Sequence, residues 1–142
     1  MKNTLLLAMG LFAAIGLGGN QFALAQESKA HQEHKERIDV PETVDGIVKE
    51  IHKHQKELAD TVKAKKLDDV HHHAFAIRDL AKALPAKTNS DHKKMVENAV
   101  KKVSQLAEAL DKSGDAGDQE KTVSNLKKMD AALKTLEEHA TM

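Results

Sequence analysis

From residue 42 onward, apolar residues recur at intervals of three and four, and short polar or proline-bearing stretches interrupt them. Val44, Val48, Ile51, Gln55, Leu58 and Val62 make the first row and predict a helix over 42–66, because this spacing lines one face of a 3.6-residue turn. Val70, His73/Ala74, Ile77, Leu80/Ala81 and Leu84 predict a second helix over 68–84, capped by Asp68 or Asp69 and stopped by Pro85. After "AKTNSD", the row His92, Met95/Val96, Ala99, Val103, Leu106 and Leu110 predicts a third over 90–112, with Ser90 as its cap. "KSGDAGD" reads as a turn. Val123, Leu126, Met129, Leu133, Leu136 and Ala140 then predict a fourth helix over 118–140. No segment alternates as a strand would. Short connections make each helix fold back along the one before it. The expected fold class is all-α, an up-down-up-down antiparallel four-helix bundle over 42–142.

The region before the bundle has a different pattern. Lys2 is followed by an apolar run from Leu5 to Leu17, a polar break at Gly19-Asn20-Gln21, and Ala23-Leu24-Ala25. This is the order of a secretory signal peptide, and the run is shorter than the roughly 20 residues that span a bilayer. Cleavage is expected after Ala25, giving a periplasmic chain that no longer touches the membrane. Residues 26–41, "QESKAHQEHKERIDVP", are expected to form a flexible polar tail.

Composition narrows the chemistry. There is no Cys, Trp or Tyr, and Phe75 is the one aromatic after residue 25. The core must therefore be aliphatic, without disulfides. Lys and Arg number 22 against 22 Asp and Glu, interleaved along the chain. No basic stripe or set of stacking aromatics suggests nucleic acid. No cysteine nucleophile, phosphate-binding glycine loop or serine elbow is present, so a non-enzymatic role is expected. The acidic run "DKSGDAGDQE" does not have EF-hand spacing.

The nine histidines are the notable feature, since imidazole is the commonest protein ligand for borderline metals. Neighbouring helical residues point about 100° apart, so His71, His72 and His73 cannot all hold one ion on a regular helix. Partners four apart do share a face, which gives two carboxylate–imidazole pairs, Asp68 with His72 and Asp69 with His73. The competing reading leaves His71 and His72 solvated and His73 hydrogen-bonded at the core margin. His52 and His54 diverge by about 160° and cannot share an ion; both fall near the level of Met129. In an antiparallel bundle His92 and His139 sit at the same end and can meet. In the tail, His31 and His34 lie three apart beside Glu33 and Glu36 and could grip a divalent ion in a helical turn.

Four such helices behind an export signal, with a His near the end in "TLEEHATM", resemble the periplasmic cytochrome b562 and cytochrome c-prime architecture. The haem-attachment motif C-x-x-C-H of the latter is absent, and helix 1 carries no Met. The resemblance implies haem b as one alternative cofactor, with His139 as an axial ligand and His52 or His54 as the other. "HHHAFAIRDLAKALP" and the His content are also similar to small His-rich proteins exported alongside metal-efflux systems. That similarity implies a transition-metal-binding protein for copper, nickel, cobalt or zinc, monomeric or weakly dimeric, working with a metal-efflux or metal-delivery partner. A third expectation is a structural or interaction module without metal, with Phe75 marking a partner surface or a rotated second helix.

Overall fold

The computed structural model describes residues 38–142. The expected export signal and most of the polar tail, including His31 and His34, lie outside the described residues. Within them the chain is all-helical: α1 (Val44–Lys63), α2 (Val70–Ala83), α3 (Ser90–Asp115) and α4 (Gln119–Ala140). Short 3-10 turns, Leu67–Asp69 and Leu84–Ala86, flank α2. There is no strand among the described residues, and no described helix is long and apolar enough to cross a membrane.

Local chemistry sets the helix ends. Thr43 Oγ1 accepts from the Gly46 amide at 3.1 Å, so α1 starts at Val44 rather than at 42. At the other end Lys65 adopts a left-handed φ of 59°. Its amide donates to the Val62 carbonyl and that of Lys66 to the Thr61 carbonyl, the paired bonds that close a Schellman turn. α3 ends in the same way. Gly117, at φ 65°, donates to Gly114, and Asp118 donates to Ser113. The third helix therefore runs three residues beyond the expected 112, into the predicted turn. Asn89, not Ser90, occupies its cap position, without a side-chain cap bond. Asp118 caps α4, accepting from the Lys121 amide at 2.9 Å. α2 begins at Val70 because Leu67–Asp69 wind as a 3-10 turn, and Asp69 stands at its cap position without a cap bond.

The helices pack around an aliphatic core. Ile47, Ile51 and Leu58 of α1, Ile77 and Leu80 of α2, Val96 and Leu110 of α3, and Met129 and Leu136 of α4 are fully buried. The core rows follow the expected period with small rotations. Ile47 is buried where Val48 was expected, and Met95 is half exposed while Val96 turns inward. Phe75 is half-buried against the core, with the Arg78 guanidinium 4.4 Å from its ring centre. That stacking accounts for an aromatic off the inner row.

One polar cluster interrupts the apolar interior. Asn125 Nδ2 donates to the Ala109 carbonyl at 3.0 Å and to Ser113 Oγ at 3.3 Å. Ser113 Oγ donates to the Leu110 carbonyl at 3.1 Å. The Thr122 hydroxyl lies 2.7 Å from the Asp118 carbonyl and 2.9 Å from Ser113 Oγ. These bonds tie the end of α3 to the start of α4. Next to them, Gly114 lets α3 approach the 3-10 turn: a Cβ there would lie 2.6 Å from the Leu67 carbonyl oxygen.

Side chains also link α1 to α4. His52 Nε2 bonds Glu137 Oε1, Gln55 Nε2 donates to Asp130 Oδ1 at 2.8 Å, and Gln119 Nε2 donates to the Val62 carbonyl at 2.9 Å. The partners ascend α1 while descending α4.

Candidate metal centre

His54, on the flank of α1 facing α2, places its Nδ1 atom 3.3 Å from Nδ1 of His73. Glu57, one turn after His54, brings Oε2 to 3.4 Å from His54 Nδ1 and 3.3 Å from His73 Nδ1. Three donor atoms thus form a nearly equilateral triangle. A tetrahedral ion with ligand distances of about 2.0–2.1 Å keeps its donors about 3.3–3.4 Å apart. Cis positions of a square or octahedral ion at the same bond length would lie closer, at about 2.9 Å. The triangle therefore has the edge of a tetrahedral site with three protein ligands, and the fourth direction is left for water or another ligand.

The local sequence explains the convergence. His54 and Glu57 are three apart, so they share a face of α1. His73 falls in the first turn of α2, where the late start of that helix turns it toward α1. The side chains of His54, His73 and Glu57 are 21%, 26% and 42% exposed, which admits an ion from solvent while holding both rings against the core edge. Burial lowers the His73 pKa from its ordinary value, although Glu57 opposes the shift; the neighbouring His54 and His72 add to it, and Asp69 opposes it. A neutral His73 keeps a lone pair for coordination near neutral pH.

The other sequence candidates go to different places. His71 and His72 sit ring to ring with centroids 4.0 Å apart, and the His71 ring is 6.5 Å from Phe75. Asp68 and Asp69 lie exposed in the 3-10 turn. Among the described residues no hydrogen bond or ion pair joins Asp68 to His72 or Asp69 to His73; Asp69 acts on His73 only through its charge. His52 points to the flank opposite His54 and bonds Glu137 of α4. His92 and His139 do meet, with ring centroids 6.4 Å apart. Thus His139 has His92 beside it, while His54 faces His73 and His52 bonds Glu137. Glu57 is the residue that sequence reasoning missed. Its signal was present as the His-x-x-Glu spacing in "HKHQKE".

The chain matches no family model, and no curated protein or solved structure is significantly similar to it.

Proposed function

We propose that the protein is a periplasmic transition-metal-binding protein that reversibly holds a divalent ion through His54, Glu57 and His73. The single observation supporting this reading is the triangle of two imidazole nitrogens and one carboxylate oxygen with edges of 3.3–3.4 Å. Its tetrahedral edge length and mixed nitrogen–oxygen donors favour zinc or cobalt over the square geometries of copper(II) and nickel(II). The exposed edge of the site suits buffering or carriage, in exchange with a metal-delivery or efflux partner.

The scaffold in this reading is an up-down-up-down antiparallel four-helix bundle. Short connections and the opposed order of side-chain links between α1 and α4 support that topology. Two ligands come from α1 and one from α2, so an ion bridges neighbouring helices. The sequence order of the first 25 residues supports export.

Isothermal titration of the metal-free protein with zinc is the test, with His54→Ala, Glu57→Gln and His73→Ala alongside. Loss of one zinc equivalent in all three variants is expected, with His71→Ala and His72→Ala unchanged. Wild-type affinity in His54→Ala and His73→Ala would remove the site.

A further inference from the structure

At the edge of α3 and α4 lies a second pair of imidazoles with different chemistry. His92 is in the first turn of α3 and His139 in the last turn of α4. Their ring centroids are 6.4 Å apart and their planes are inclined by 22°. The Nδ1 atoms of both rings are shielded from solvent and have no hydrogen-bond partner among protein groups. A buried acceptor or donor left unpaired costs free energy, so two such atoms on adjacent rings are unusual.

Met95 lies one turn beyond His92, on the same side of α3. It is half exposed, with Val40 and Met142 one of three large apolar side chains presented to solvent among the described residues. Together with His139 it lines an open cavity of about 360 Å³ between α3 and α4. The cavity's cationic lining residue, Lys102, stands two turns along α3 from Met95, about 10 Å by helical rise.

We propose that His92 and His139, supported by the thioether of Met95, form a second site that takes a soft monovalent ion, Cu(I). Two imidazoles in line with an ion at about 2.0 Å per bond, with about 1.1 Å from each nitrogen to its ring centre, put their centroids about 6.2 Å apart. The observed centroid separation, 6.4 Å, is of this size, with the two rings near parallel at 22°. Cu(I) favours few ligands and soft ones, and two imidazoles joined by the thioether of Met95, which shares a cavity lining with His139, suit it better than zinc, which prefers a fuller set of harder donors. The C-terminal end of α4 favours a cation beside His139, while the N-terminal end of α3 opposes one beside His92, so the two helix-end fields offset each other. This site shares no ligand with the α1–α2 centre, so each can stand or fall alone.

The test is anaerobic competition for Cu(I) between the protein and bathocuproine disulfonate, with zinc titration run in parallel. Wild type is expected to retain one Cu(I). His92→Ala and His139→Ala are each expected to weaken it by at least about 100-fold, and Met95→Leu by about 10-fold, magnitudes in line with the loss of metal-site partners. His54→Ala is expected to leave Cu(I) binding unchanged while losing zinc. Unchanged Cu(I) affinity in His92→Ala, Cu(I) loss in His54→Ala, or no Cu(I) retention by wild type would each overturn the proposal. Should a variant fail to fold by circular dichroism, imidazole ¹⁵N spectra of wild type with Ag(I) decide. Shifts at His92 and His139 uphold the site, and their absence overturns it.

Discussion

The Nδ1 atoms of His54 and His73 face each other at 3.3 Å across the contact between α1 and α2. Each ring nitrogen must act as donor or acceptor, and a neutral imidazole carries one N–H. Glu57 adds an acceptor-only oxygen at a similar distance from both. Protons can satisfy some of these contacts, but a cation in the centre satisfies all three together. The metal-free cluster is therefore a compromise that binding relieves.

The metal-free protein should lose stability on acidification. The folded pKa of His73 lies below the ordinary 6.5, chiefly because burial disfavours its charged form. Between the folded pKa and 6.5 the unfolded chain binds more protons, so stability rises with pH there. The contribution is fully present above 6.5 and is lost as pH falls through the folded value. Urea denaturation in the presence of a chelator, repeated at steps from pH 7.5 to 5, should show this slope. His73→Gln should flatten it.

Zinc should raise the melting temperature of the folded protein. A ligand that binds only the native state at 100 times its Kd adds about 2.7 kcal/mol. A thermal scan with and without zinc should show an upward shift that excess chelator reverses. The shift should vanish in Glu57→Gln, whose amide is a weaker ligand than the carboxylate.

Lys65→Gly should stabilise the chain. Lys65 holds a left-handed φ of 59° at the end of α1, a conformation that costs a non-glycine residue about 1–2 kcal/mol. Glycine removes that strain but loses more backbone entropy on folding. A net gain of about 0.5–1 kcal/mol in urea denaturation is the expected balance.

Gly114→Ala should have the opposite sign despite alanine's better helix propensity. The added Cβ would meet the Leu67 carbonyl oxygen at 2.6 Å, and that oxygen belongs to backbone rather than to a flexible side chain. Overpacking of this kind costs about 1–3 kcal/mol, more than the roughly 1 kcal/mol that the propensity returns. A lower urea midpoint checks it.

Asn125→Ala should destabilise by about 1–2 kcal/mol. The change leaves the Ala109 carbonyl without the Asn125 amide and removes a partner from Ser113 Oγ. Pairing it with Ser113→Ala should cost less than the sum of the single changes, because the residues share one network. Urea denaturation of the two single variants and the double completes the cycle.

The all-helical character and the approximate helix limits were legible along the chain. Rows such as Ile51, Leu58 and Val62 state their own period, and Pro85, Asp118 and Gly117 mark breaks by local backbone chemistry. The geometry of His52 and His54 was also legible in part: two residues separated by about 160° must serve different neighbours. The sequence alone also carried the His54–Glu57 spacing, though nothing local distinguished it from an ordinary solvated i,i+3 pair. Only tertiary packing decided that His73, rather than His71 or His72, would join them. The choice depends on where α2 begins and how Leu67–Asp69 turn the chain, and a rotation of one residue swings a side chain by about 100°. Periodicity records which face of a helix is apolar, but the meeting of two flanks is set by how whole helices settle against each other.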